Sequence, residues 1–297
     1  MTGPAGRAPR PVPAIEVGGS HVTAAFVDLA SGKVGSRVRR DLEPDADAET
    51  LLHTIAAAAT TLGCAAEAVW SAAVPGPFDY ATGVAHYRDV GKFESLTGVH
   101  VGMELMTRIK PHPSCVRFIG DAMAFTLGEY HFGSAHGHSR VVGITLGTGV
   151  GTGFVADGHL VTDGPDVPEQ GRADLLLIGG KPLENTVSTR AISAAYTSRT
   201  GRRVTEIAEI VRHARSGNPA AAQVLHAAFR ALGVALAPYL ARFAATAVVV
   251  GGGVTAAWDV IAPSLQAGLA TAEPPHPMMI VRSADTEVAA LLGAASI

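Results

Sequence analysis

Two stretches of this chain follow one plan. Residues 16–28 read EVGGSHVTAAFVD and residues 145–157 read TLGTGVGTGFVAD. Each is an apolar strand, a glycine-rich turn holding a hydroxyl residue, a second strand and a closing Asp. Such self-similarity within one chain predicts two related halves that face each other. The turns Gly18-Gly19-Ser20 and Gly147-Thr148-Gly149 also carry a chemical suggestion. Glycine lets a ligand approach the backbone closely, and successive N–H dipoles in a tight turn converge on an anion. One such turn is ordinary hairpin chemistry. Two matching ones suit an anion long enough to be clamped from both sides, such as a polyphosphate.

The rest of the chain alternates strand and helix. ETLLHTIAAAATTLG reads as a helix stopped at Gly63, AVWSAAVPGPFDYATG as a buried strand running into a Pro/Gly loop, and CVRFIGD as a further strand. AMAFTLGEYHFG, TRAISAAYTSRT, VTEIAEIVRHARSG, PAAAQVLHAAFRALGVALAPYLARF and TEVAALLGAASI read as helices, and AVVVGGGV as a fully buried strand. This alternation predicts an α/β protein. The most apolar window, 231–253, is broken by Pro238, Arg242 and four glycines, and reads as a core helix followed by a strand rather than a membrane span. With 23 basic against 26 acidic residues, nothing favours nucleic acid as a partner. Cys64 and Cys115 are the only cysteines, as expected of free thiols in a reducing cytosol, and no signal peptide is seen. The expectation is a soluble, cytoplasmic protein. Its organisation is expected to be a flexible leader over 1–13, a small α/β domain over 14–117, a large α/β domain over 118–284 and a C-terminal helix over 285–297 that returns to the small domain.

In their order, the motifs IEVGGS, AVPGPFDYATG, GDAMAFTLGE, GITLGTGVGTGFVADGHL, EQGR, PLENTVSTRAI and VVVGGGV resemble the ROK family of sugar kinases and repressors, within the actin and hexokinase superfamily. The resemblance runs from Ala14 to Ile297. It implies a two-domain actin/hexokinase-like (ribonuclease H-like) α/β fold with duplicated phosphate hairpins, and a homodimer. It also implies ATP and Mg²⁺ as cofactors. The turns at Gly18, Gly19, Ser20 and Gly147, Thr148, Gly149 would hold the phosphates, Gly251, Gly252 and Gly253 would lie beside adenosine, and Glu16 would stand near the metal where the family more often has Asp. Asp121 matches the family's catalytic base, which receives the proton of the acceptor hydroxyl; an Asp before a helix is otherwise a common N-cap. Glu169 and Glu184 would accept from sugar hydroxyls, and Gly76 would lie on the loop flanking the sugar.

Three departures from the family pattern bear on specificity. Gly120 stands where the family usually has Asn, which removes a donor and an acceptor and is expected to open room near the sugar ring. Arg172 stands in place of His and is expected to bridge to Glu169 or Glu184. No cysteine lies between Arg172 and Glu184, so no zinc site is expected. His131, His136 and His138 are expected to be solvent-exposed loop residues. The implied reaction is phosphorylation of the primary (6-) hydroxyl of a hexose or amino-hexose of the glucose, glucosamine or kanosamine type. A kinase of a C7 cyclitol and a non-catalytic sugar-binding regulator are the alternatives. The family's repressors carry an N-terminal helix-turn-helix, for which the residues ahead of the first strand are too few.

Overall fold

The computed structural model describes residues 11–147 and 149–297. In chain order its elements begin with β1 (Val12–Val17), β2 (His21–Asp28), β3 (Lys33–Asp41), α1 (Ala48–Leu62), β4 (Val69–Val74), β5 (Phe78–Asp79), β6 (Val84–Ala85), α2 (Val101–Arg108), β7 (Cys115–Gly120) and α3 (Asp121–Phe132). They continue with β8 (Arg140–Leu146), β9 (Val150–Ala156), β10 (His159–Leu160), β11 (Leu177–Ile178), β12 (Lys181–Pro182), α4 (Glu184–Val187), α5 (Thr189–Thr200), α6 (Ile207–Arg215) and α7 (Pro219–Arg242). The last are β13 (Ala247–Gly251), α8 (Trp258–Leu269), β14 (Met279–Arg282) and α9 (Thr286–Ala295).

The doubled plan reappears as doubled topology. One five-stranded sheet has the order β3-β2-β1-β4-β7 and the other the order β10-β9-β8-β13-β14. In each, the hairpin of the repeat pairs antiparallel, and its first strand then pairs in parallel with a strand that follows much later in the chain. The parallel strands are the most apolar, as strands covered on both faces must be. All five residues of β13 are buried, and Trp70 and Ala72 of β4 are fully so. β3 escapes a reading by apolar pattern because it is an edge strand with three arginines, charges that guard an open edge.

The chain divides into two compact units, Met1–Ala124 with Ala290–Ile297, and Phe125–Ala289. These boundaries lie several residues later than those read from the sequence. The reason at the first is strand pairing: β7 is bonded to β4 from Val69↔Cys115 to Val74↔Gly120, which keeps it and the first turn of α3 with the first unit. Val12 and Pro13, assigned to the leader by sequence, pair with Val27 and Phe26 in the β1–β2 hairpin; the leader's first ten residues lie outside the described residues.

The first core gathers Ile15, Val22, Leu51, Ile55, Trp70 and Leu105, among others. α1 is placed over it by strong end signals. Asp47 caps its start through Thr50 N at 2.7 Å, and Gly63 ends it in the left-handed region. The second core includes Ile144, Phe154, Phe229, Leu236, Val250 and Ile261. α7 is long and apolar enough to cross a membrane by composition, yet Val224, Leu225, Phe229, Leu232 and Leu236 lie in that core. α7 and α8 cross closely at two glycines. A Cβ on Gly233 would stand 2.4 Å from Leu265 O, and one on Gly268 would stand 2.2 Å from Arg230 O.

Candidate active site

In the first unit the β1–β2 turn is closed by its own backbone, with Gly18 N donating to His21 O at 2.9 Å. That amide is therefore engaged within the turn. The imidazole of His21 lies over the turn, because a Cβ on Gly18 would meet its ring at 2.9 Å. Nε2 of the same ring stands 3.5 Å from Oε2 of Glu16, one of the two partners being 12% exposed and the other 20%. Gly19 and Ser20 are exposed. The sequence had not singled out His21, although it is the residue that lies over the first glycine turn.

Asp121 is the first residue of α3, immediately after the last residue of β7, and it is half-buried. Its Oδ1 accepts from Ala122 N at 2.8 Å, so helix-start bonding orients the carboxylate. The register Val74↔Gly120 brings the loop after β4 beside the end of β7. There the structure departs from the expected open space. A Cβ on Gly120 would lie 3.0 Å from the Tyr80 hydroxyl, and a Cβ on Gly76 would lie 3.3 Å from the same oxygen. The room left by a missing Asn is thus taken by a phenol.

Tyr80 is held there by its turn and by other rings. Asp79 accepts from Ala81 N at 3.0 Å and Thr82 N at 3.1 Å, and β5 pairs with β6 across the turn. Hydrogen bonding to Thr82 is the main reason the Asp79 carboxyl titrates below its ordinary value. Phe78 packs against Tyr80 with centroids 5.6 Å apart, and against Phe118 at 5.0 Å. Tyr87 lies in the same cluster and donates to Pro75 O at 2.8 Å. Burial, with smaller contributions from Tyr80 and Asp121, pushes its phenol well above the usual range, so Tyr87 stays protonated.

In the second unit Gly147 and Gly149 flank Thr148, which lies outside the described residues. Gly147 N donates to Gly149 O at 3.1 Å. Gly147 O in turn accepts from Thr189 Oγ1 at 2.8 Å and Thr189 N at 3.3 Å, which ties the turn to the start of α5. Ser188 caps that helix through Ala191 N. Glu184, half-buried at the start of α4, comes to the same turn: its Oε1 lies 2.7 Å from where a Gly149 Cβ would be. The sequence had assigned Glu184 and Gly149 to different jobs, and folding makes them neighbours.

Glu169 is exposed at the start of a short 3₁₀ turn in which Gln170 has a left-handed φ of 56°. Arg172 makes a two-point ion pair with Asp174, the shorter contact being 2.6 Å. Asp174 is thus one partner of this guanidinium. An acid two residues on reaches the guanidinium without any rearrangement of the chain. Buried Thr152 of β9 holds this segment, donating to Gly171 O at 2.5 Å and accepting from Ala173 N at 3.0 Å. The stretch between Arg172 and Glu184 forms the β11–β12 ribbon, turning at Gly179 and Gly180 with positive φ.

The glycines at the end of β13 and just after it divide by role. Gly251 packs against Phe125, whose ring would lie 2.7 Å from a Cβ there. Gly252 has φ 94° and ψ 168°, and its Cβ would overlap Leu146 O at 2.0 Å. Both are required by packing alone. Gly253 has nothing within 4 Å of its Cβ position, and neither has Gly147. The expected exposed histidines also divide: His136 is exposed, whereas His131 ends α3 half-buried, where burial lowers its pKa.

Taken by itself, each unit offers groups that suit a phosphorylated ligand or a hard cation. The open backbone at Gly147 and Gly253 leaves space of the kind a phosphate or ribose needs. Glu16 offers the oxygen donor that Mg²⁺ favours. His21 and a cation would compete for that carboxylate.

Comparison with known proteins places the chain in a family. The model of the ROK family matches residues 12–297. A glucokinase of Thermotoga maritima is 26% identical, over 95% of this chain and 95% of its own. The crystal structure of a ROK hexokinase from Thermus thermophilus superposes with a TM-score of 0.76 at 26% identity, covering 96% of each chain. That of a ROK family glucokinase from Streptomyces griseus, in complex with glucose and AMPPNP, gives 0.77 at 23% identity and shares the fold, covering 96% of this chain and 98% of its own. The α/β fold expected from the sequence is the fold shared with these two solved structures.

Proposed function

The chain belongs to the ROK family, and on that premise we propose that it is an ATP- and Mg²⁺-dependent sugar kinase acting on the primary (6-) hydroxyl of a hexose or amino-hexose. The observation that carries this reading is Asp121, a half-buried carboxylate fixed at the β7–α3 junction by Ala122 N. Phosphoryl transfer asks a protein mainly for alignment, charge neutralisation and a group to receive the hydroxyl proton. Asp121 takes that proton while the acceptor oxygen bonds to phosphorus and ADP leaves. ATP supplies the phosphoryl group and Mg²⁺ neutralises its charge. The turns at 18–20 and 147–149 are the segments that hold the phosphates, and Glu16 serves the metal. Glu169 and Glu184 accept from ring hydroxyls. Tyr87, kept protonated by burial, is excluded as a rival base. A cytoplasmic homodimer belongs to the same proposal, and light scattering reads the assembly.

The test is ADP release over a panel of glucose, glucosamine, kanosamine and a C7 cyclitol. Asp121→Asn should lower turnover with the best acceptor by about 100- to 10,000-fold, the range for a lost general base. Its melting temperature and ATP affinity should match the parent's. Turnover at the parent rate would remove Asp121 from the role. ADP release with no acceptor tested, but sugar binding by calorimetry, would favour the regulator reading.

A further inference from the structure

We infer that Tyr80 is the acceptor-specificity residue of this site: its phenol takes the position over Gly76 and Gly120, and reads one polar group of the sugar beside Asp121. The inference rests on the kinase reading above. Its own support is geometric. Gly76 and Gly120 have no side chains, and one oxygen, the Tyr80 hydroxyl, sits 3.3 and 3.0 Å from their two Cβ positions. Gly120 directly precedes Asp121, so a hydroxyl at this point borders the proposed base. The ring is braced by Phe78, itself packed at a tilt against Phe118, while Tyr80 as a whole remains half-buried. Its backbone is fixed by the Asp79 turn. A braced ring is preorganised, and little side-chain freedom is left to lose when a ligand binds.

A phenol differs from an amide in what it can recognise. It offers one donor and an acceptor on one oxygen, and its donor can pair with a sugar hydroxyl or an amine. A site built around such a group discriminates against analogues that lack its partner. The phenol also crowds any side chain placed at Gly120. A side chain there would press on the hydroxyl at 3.0 Å and on Met123 Sδ at 3.4 Å.

The experiment compares the full-length parent and Tyr80→Phe on glucose, glucosamine and 2-, 3- and 4-deoxyglucose. It records kcat/KM for each, Kd by calorimetry, and KM for ATP. Tyr80→Phe should lose about tenfold on glucose, the equivalent of one neutral hydrogen bond. It should lose nothing on the one deoxy analogue missing the group that Tyr80 reads, and KM for ATP should stay as in the parent. A merely structural Tyr80 would lower all sugars alike. Gly120→Asn provides a second reading: alone it should weaken acceptor binding, and Tyr80→Phe added to it should restore part of the loss. An equal effect on every sugar, or none on any, overturns the assignment while leaving the kinase reading intact. A parent that neither binds nor turns over any of these sugars overturns the kinase reading, and the Tyr80 assignment with it.

Discussion

Gly252 and Gly253 are adjacent and chemically identical, yet Ala should act on them in opposite ways. At Gly252 the backbone has φ 94° and ψ 168°, a region essentially reserved for glycine, at a cost of about 1–3 kcal/mol for any other residue. A Cβ there would also lie 2.0 Å from Leu146 O, a backbone atom of β8 that cannot swing aside. Together these bring the loss for Gly252→Ala to about 3 kcal/mol or more, the range reached by strained or overpacked core sites. For a domain of this size, each kcal/mol moves the melting temperature by about 2–4 °C, so a fall of about 6 °C or more is expected. Gly253 has ordinary φ and nothing within 4 Å of its Cβ position, so Gly253→Ala should change stability by less than about 0.5 kcal/mol. If the open backbone there borders the nucleotide, the added methyl should weaken ATP binding about tenfold. Differential scanning calorimetry reads the first effect, and titration calorimetry with a non-hydrolysable ATP analogue reads the second. Unchanged affinity for Gly253→Ala would show that this run does not border the nucleotide. An unchanged melt for Gly252→Ala would refute the steric argument.

Two further outcomes can be checked. Buried Glu129 accepts from Ser134 N at 2.7 Å and from Ser283 Oγ, joining the end of α3 to the end of β14. Glu129→Ala strands the buried Ser283 hydroxyl at about 1–3 kcal/mol and removes the acceptor of the part-buried Ser134 N–H, so it should be destabilising in urea melts, with Glu129→Gln milder; a parent-like melt for the Ala variant would contradict this. The Asp79 carboxyl, lowered below its usual 3.8 mainly by Thr82, supports the Tyr80 turn more strongly when ionised than when protonated. That support is fully present above the unfolded pKa and fades as pH falls through the lower folded one. Near-ultraviolet circular dichroism should therefore change below about pH 4 in the parent, and Asp79→Asn should show less of that change.

Much of this protein was written locally. The two strand–turn–strand segments, the caps of α1, the buried run of β13 and Asp121 at a strand–helix junction depend on residues close in sequence. Backbone preference, alternation and turn chemistry operate at that range, and the order of the motifs carried the family. β3 stayed hidden because an edge strand has little apolar pattern to show, its charges serving to keep the edge unpaired. The identity of the polar group beside Asp121 could not be read at all. Losing an Asn at Gly120 suggests empty space to anyone reading along the chain. The parallel register of β4 and β7, ending at Val74↔Gly120, carries the Gly76–Tyr80 loop to that point and fills the space with a phenol. In the same way the fold brings Glu184 to Gly149, and makes Gly252 obligatory while leaving Gly253 open. Sequence fixes what each segment prefers to become. Which side chains then meet is set by long-range strand pairing, because a contact between residues far apart in the chain has no local signature.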